Sequence, residues 1–219
     1  MIRFKEEYLR TRDIDWFIKN GEYHIHATSI RGDLPDIIND REYIMAMYKK
    51  VYDLHEIYQP EEIAINLDFI KRTIFKDLQG IELYTAIRNY LPWFVNMARK
   101  GFISFDRSNI EDFKDNEYHI VAFPIDITSQ NLSSLSDFSI KQTEKDNILY
   151  DYIISHKNNI SENHEALLGD FNKCKICHCD NKRTLNLISI FQQRNPSQTI
   201  KGQKRILTKN KKDDEHRRT

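Results

Sequence analysis

The chain has 219 residues, of which 40% are hydrophobic, and it contains 12 Phe, 11 Tyr and 2 Trp. This content supports a sizeable core and excludes wholesale disorder, while only 6 Gly and 5 Pro argue against a loop-dominated or repeat architecture. The formal net charge is zero, but residues 194–219 carry nine Lys or Arg against three acids, so a tail of +6 follows a body of −6.

The N-terminus and the cysteines indicate the compartment. No apolar run follows the basic start, so the chain does not begin like a secretory signal. No apolar stretch has the length of a membrane span. The three cysteines cluster at Cys174, Cys177 and Cys179, which is unlike a disulfide framework. We therefore predict a cytoplasmic protein with no membrane contact.

The first predicted element is a β-hairpin. Two alternating apolar runs flank Asn20 and Gly21, and this dipeptide tolerates the positive φ angles of a tight hairpin turn. On the second strand Tyr23, Ile25 and Ala27 share one face, and the other face carries His24, His26 and Thr28.

Three amphipathic helices are predicted next. Apolar residues recur at helical spacing over 41–58, over 63–78 with an end near Gly80, and over 83–98. Pro92 predicts a kink or break of the third helix near Tyr90. The spacing predicts core positions at Ile44, Val51, Ile63, Leu67, Ile70, Leu83, Ile87 and Phe94.

A second hairpin is predicted from two strand-like runs, "GFISFDRS" and "EYHIVAFP". We divide the chain into a core domain at 1–124, a Ser-rich linker at 125–140, a helical segment at 141–193 and a disordered basic tail at 194–219. The predicted fold class is α+β: an antiparallel sheet from two β-hairpins covered by amphipathic helices, followed by a helical C-terminal segment and a flexible basic tail.

The first candidate site is the polar face of the second strand, with Arg31 and Asp33 in the loop beyond. His24 and His26 are about 7 Å apart along a strand, a spacing that suits a shared metal or an acid–base pair on a phosphodiester. If the two hairpins are neighbours in the sheet, His119 would face His24 and His26. Asp106 would then orient an imidazole, and Arg107 would hold an anion. The alternative is a half-exposed strand face carrying ordinary polar residues.

The second candidate site is a zinc knuckle. Cys174 and Cys177 have the two-residue gap that aims two thiolates at one ion, and Cys179 and His178 are candidates for the remaining ligands. No second Cys-x-x-Cys is present, so reduced thiols without a ligand are the alternative.

Three functions follow from these features. The leading hypothesis is a binding or accessory protein whose tail contacts nucleic acid or another acidic partner. The second is a histidine-dependent phosphodiester hydrolase centred on His24, His26 and His119. The third is a protein-binding subunit of a larger assembly. The residues predicted to bind nucleic acid are Lys201, Lys204, Arg205, Lys209, Lys211, Lys212, Arg217 and Arg218.

Overall fold

The computed structural model describes residues 2–109, 111–112, 114–126, 140–179 and 184–192. Most of the predicted Ser-rich linker and the whole basic tail lie outside these residues. The prediction that the tail is flexible therefore stays a prediction. No helix among the described ranges is both long and apolar enough to cross a membrane.

One sheet organises the described residues. Its nine strands are β1 (Asp15–Asn20), β2 (Tyr23–Thr28), β3 (Ile63–Ile65), β4 (Ile103–Arg107), β5 (Glu117–Pro124), β6 (Gln142–Thr143), β7 (Ile160–Ser161), β8 (Lys175–Cys177) and β9 (Leu185–Asn186). They lie in the order β6-β1-β2-β4-β5-β3-β8-β7, and β9 pairs with β5.

The predicted antiparallel sheet from two hairpins is wrong, because the sheet is mixed and larger. Both predicted hairpins exist, as β1 with β2 and β4 with β5. They are joined by parallel pairing of β2 with β4, and two more parallel pairs form between β1 and β6 and between β3 and β8. The segment predicted to be helical contributes β6 to β9, so it completes the sheet rather than standing beside it.

The helices lie on both faces of the sheet. They are α1 (Glu6–Leu9), α2 (Arg41–Tyr52), α3 (Leu67–Phe69), α4 (Gly80–Arg99), α5 (Asn147–Lys157) and α6 (Leu187–Phe191). A π-helical turn, Ile70–Ile74, continues α3, and 3-10 turns cover Pro60–Glu62 and Ala166–Lys173. Residues of α5 and α6 pack on one sheet face, and those of α4 pack on the other.

All three predicted helices differ from the observed ones, and α2 ends at Tyr52 rather than near residue 58. The helix predicted over 63–78 is wrong at its start. Ile63, Ala64 and Ile65 form strand β3 instead, and they are fully buried between β5 and β8. The helix α4 runs from Gly80 to Arg99 without a break at Pro92. Seven of the eight predicted core positions are buried, and the eighth, Leu83, is partly buried.

Candidate functional site

A polar row crosses the middle of the sheet beneath α4. Parallel pairing sets His26 of β2 opposite Ser104 of β4, and antiparallel pairing sets Asp106 opposite His119 of β5. Side chains directly opposite one another point to the same face of a sheet. All six residues of β2 are buried, so this strand face is not half-exposed. That its histidines are ordinary polar residues stays an open alternative.

Asp106 is the centre of this row and is only 3% exposed. Its Oδ1 accepts hydrogen bonds from the Thr28 hydroxyl and, at 2.9 Å, from the backbone N–H of Arg107. Its Oδ2 accepts from the Tyr90 hydroxyl at 2.7 Å. Burial raises the pKa of Asp106 to about 6, and this effect outweighs the hydrogen bonds from Thr28 and Tyr90, which lower it.

Asp106 lines a pocket of about 580 Å³. This volume lies in the range of small-molecule sites, which run from about 300 to 1,000 Å³. Thr11, Asp13 and Arg31 are at its rim. Thr11 and Arg31 are exposed, whereas the Asp13 carboxyl group is turned toward the protein, and its partial desolvation raises its pKa. Thr28, Ile30, Tyr90, Phe94 and Asp106 complete its lining. The pocket therefore combines an apolar wall with a small number of converging polar groups.

The rim contains a strained stretch of backbone. Ile30 has a φ of 37° and Arg31 a φ of 62°, and a β-branched residue rarely adopts positive φ. The Asp13 carboxylate fixes the strained peptide by accepting the Ile30 N–H at 2.8 Å. Such strain persists only where the surroundings enforce it, and it clusters at ligand sites.

Arg107 supports this rim from the opposite face of the sheet. Side chains alternate along a strand, so the Arg107 side chain points away from Asp106 and α4. The fully buried guanidinium donates to the carbonyls of Ser29 at 3.3 Å and Ile30 at 3.2 Å, and also to those of Asp112 and Asp115. It is therefore a positioning residue for the rim in this structure, and not a group that faces the pocket.

The three predicted histidines are all buried on the α4 side. Burial lowers the pKa of His24 to about 4, with a smaller contribution from Lys19, and it lowers that of His119 to about 3. Both rings are consequently neutral at pH 7. A histidine that works as an acid and base near neutral pH needs a pKa close to 7, so the phosphodiesterase hypothesis gains no support here and stays a prediction.

The histidines have separate partners. The His119 Nε2 lies 3.4 Å from the Tyr90 hydroxyl, which places this ring behind Asp106 and Tyr90. The His26 ring lies between the Ser104 hydroxyl and the Asp15 carboxylate, at 3.1 Å from each. Asp106 thus connects to His119 through Tyr90, while His26 belongs to a different pair of contacts.

The predicted zinc ligands do not form a cluster. The described residues contain no group of three or more His, Cys, Asp or Glu side chains that could hold a metal ion. Cys177 and Cys179 place their sulfurs 2.8 Å apart, whereas Cys174 packs in a different part of the core. The His178 ring contacts Ser161 and Asp68 instead.

The sequence indicated part of this pocket. Thr28, Arg31 and Asp106 were among the candidates, and the structure brings all three to the pocket. Tyr90 and Phe94 were missed as site residues because their helical spacing is that of ordinary core positions. Asp13 and the strained Ile30 carry no local signal that marks them as part of a site.

Comparison with known proteins does not identify a family for this chain. No protein-family model matches the chain, and no curated protein or solved structure is significantly similar to it. The interpretation of the Asp106 pocket rests on its geometry and electrostatics.

Proposed function

We propose that this protein binds a small polar molecule in the Asp106 pocket and exchanges a proton with it through Asp106. The observation that carries the proposal is a buried carboxyl group on a pocket wall, with its pKa raised to about 6. An acid with a pKa near the working pH can both give and accept a proton, and shifted pKa values of this kind concentrate at functional sites.

The lining favours a ligand that donates hydrogen bonds. A carboxylate offers about four acceptor positions, and the described donors to Asp106 are Thr28, Tyr90 and the Arg107 backbone. One position therefore remains for a hydroxyl or amine of the ligand. Phe94 and Ile30 supply an apolar wall, so the ligand would also carry an apolar portion.

Blocking the pocket mouth tests this proposal. Thr11 is exposed at the rim, so Thr11→Trp should fill the entrance without disturbing the core. We expect that a hydroxylated or amine compound, found by thermal-shift screening against the parent, gives no Tm shift with this variant. The matched control is Thr85→Trp, because Thr85 is also exposed but lies on α4 outside the pocket lining. Tm shifts of equal size in parent and Thr11→Trp would place the binding elsewhere.

A second function is proposed for the basic tail, which lies outside the described residues. The favouring observation is the segregation of charge: a net +6 in residues 194–219 and a net −6 in the rest of the chain. Phosphates attract Lys and Arg without sequence preference, and the acidic body would repel the same polyanion. We propose that any nucleic-acid contact runs through this tail.

The salt dependence of nucleic-acid affinity tests whether the tail makes the contact. If five or six phosphates are neutralised, the log of the affinity for duplex DNA should fall with the log of the salt concentration at a slope of about −4 to −5. The measurement is a titration of the full chain and of a chain ending at Gln193 against DNA and RNA at two salt concentrations. Equal binding by the two proteins would remove the tail as the contact.

A further inference from the structure

Three side chains at the far end of the sheet from β6 form a hydrogen-bonded chain that the Asp106 pocket does not use. The Ser161 hydroxyl lies 2.7 Å from the Nε2 of His178, and the Nδ1 of the same ring lies 2.9 Å from a carboxylate oxygen of Asp68. The serine is hydrogen-bonded to one nitrogen of the imidazole, and the other nitrogen is hydrogen-bonded to the carboxylate.

Strand register brings the serine and the histidine together. β7 pairs with β8 so that Ser161 lies opposite Ile176, and the backbone N–H of His178 donates to the Asn159 carbonyl at 2.7 Å. His178 is therefore two residues beyond the partner of Ser161. Diagonal neighbours of this kind share a sheet face, and long side chains reach across the gap.

The acid is held independently by the start of α3. Asn66, just before α3, donates its backbone N–H to the Val121 carbonyl and its side-chain N–H to the Ile120 carbonyl, each at 3.0 Å. On the other side of Asp68, the buried Phe69 ring stacks on His119 with centroids 4.5 Å apart. These contacts fix the backbone that carries Asp68, so its carboxylate meets the histidine from an anchored position.

The order of contacts is the one that activates a serine. A carboxylate accepts the proton on Nδ1, and this fixes the tautomer in which Nε2 has a lone pair for the serine hydroxyl. A nucleophile, a base and a group that orients the base, each within hydrogen-bond reach of the next, are the structural signature of nucleophilic catalysis. The His178 side chain is 51% exposed and Ser161 is exposed, so a reagent in solution can reach the hydroxyl.

We propose that Ser161 is a nucleophile for acyl transfer from small activated esters, with His178 as its base and Asp68 as the positioning residue. The Ser161 oxygen bonds to the acyl carbon while its proton passes to Nε2 of His178. The bond to the leaving alcohol breaks, and that alcohol takes the proton from His178. Water then attacks the acyl-serine ester and gives a proton to His178, which returns it to the Ser161 oxygen as the carboxylic acid departs.

Covalent labelling tests the nucleophile directly, without the oxyanion stabilisation that rapid turnover requires. The full chain is incubated with a fluorophosphonate probe, and the modified residue is located by peptide mass spectrometry. We expect modification at Ser161. His178→Gln should slow this labelling by about 100-fold or more, the usual contribution of a positioned base. Asp68→Asn should slow it by at least about tenfold, because the ring loses the acceptor that sets its tautomer.

The matched control is Ser155→Ala. Ser155 also lies near a histidine, with its hydroxyl 3.5 Å from Nδ1 of His156, but that nitrogen contacts the Tyr152 carbonyl at 2.8 Å. This variant should label at Ser161 as fast as the parent. Circular dichroism spectra equal to that of the parent confirm that each variant is folded. Absence of label from Ser161 in the parent, or an equal labelling rate in folded His178→Gln, would overturn the proposal.

Discussion

Asparagine in place of Asp106 should raise the free energy of unfolding at pH 8 by up to about 3 kcal/mol. The physical cause is burial, which raises the pKa of this carboxyl from 3.8 to about 6. Below pH 3.8 the group is protonated in both the folded and the unfolded chain. Above pH 6 the folded chain carries a buried charge, so its stability is lowest there and increases as the pH falls from about 6 to about 4. Asparagine has the same shape and no charge.

Urea unfolding at pH 8, 6 and 4 measures this effect, and the difference between variant and parent should shrink as the pH falls. Burial of His24 and His119 acts in the opposite direction, because a lowered histidine pKa makes stability fall as the pH drops below about 6.5. That contribution is common to both proteins and cancels in the difference.

The control for this prediction is Asp151→Asn, which changes an exposed carboxyl on α5 and should stay within about 0.5 kcal/mol of the parent. A variant at Asp106 that is less stable than the parent at pH 8 would show that hydrogen bonds to the charged form outweigh its burial. If the proposed function is correct, the same Asp106→Asn variant no longer exchanges a proton with the pocket ligand, and it binds that ligand more weakly because the single amide oxygen is already occupied by Thr28 and the Arg107 N–H.

Arg107→Ala should lower the free energy of unfolding by about 3–5 kcal/mol, since the change leaves buried groups without partners. The Arg107 guanidinium is fully buried and donates to four backbone carbonyls, so its removal leaves unsatisfied acceptors and a cavity. The neighbouring Gly32 shows how tight the packing is, because a Cβ there would overlap the guanidinium. The rim carbonyls of Ser29 and Ile30 lose their donor, so ligand binding in the pocket should weaken as well.

Two variants calibrate the prediction for Arg107. Arg107→Lys keeps the charge but lacks the planar guanidinium with its several donors. We therefore expect its free energy of unfolding to lie between those of the parent and the alanine variant. Arg72→Ala changes an exposed arginine and should stay within about 0.5 kcal/mol of the parent. An unfolding midpoint for Arg107→Ala that matches the parent would show that the rim carbonyls find other donors.

Local chemistry explains which parts of the fold could be predicted. The dipeptide at Asn20 and Gly21 predicted the first hairpin, and Gly21 indeed has a φ of 57° at the turn between β1 and β2. Helical spacing predicted α2 and α4, whose apolar faces are buried as expected. The runs that became β4 and β5 were also visible, because alternation and β-branched residues act within a few positions of one another.

Pairing between strands that are distant along the chain explains why some strands were not predicted. Ile63, Ala64 and Ile65 have helical spacing with the residues that follow, yet they form β3 because β5 and β8 provide hydrogen-bonding partners on both sides. A buried strand between two others shows no alternation, so periodicity does not separate it from a buried helix. The short strands β7 and β8 likewise depend on neighbours that are distant along the chain.

For the candidate site, alternation along each strand was enough to predict which residues share a face: His24, His26 and Thr28 on one side of β2, and Asp106 on the opposite side of β4 from Arg107. Which of these residues contact one another, and how burial shifts their pKa values, depends on the tertiary structure. Parallel pairing of β2 with β4 placed Thr28 against Asp106, and α4 brought Tyr90 onto the same carboxyl. Burial then raised the pKa of Asp106 and lowered those of His24 and His119. The physical reason is that alternation is fixed by the backbone of each strand, whereas strand neighbours and burial are fixed by the packing of the whole chain.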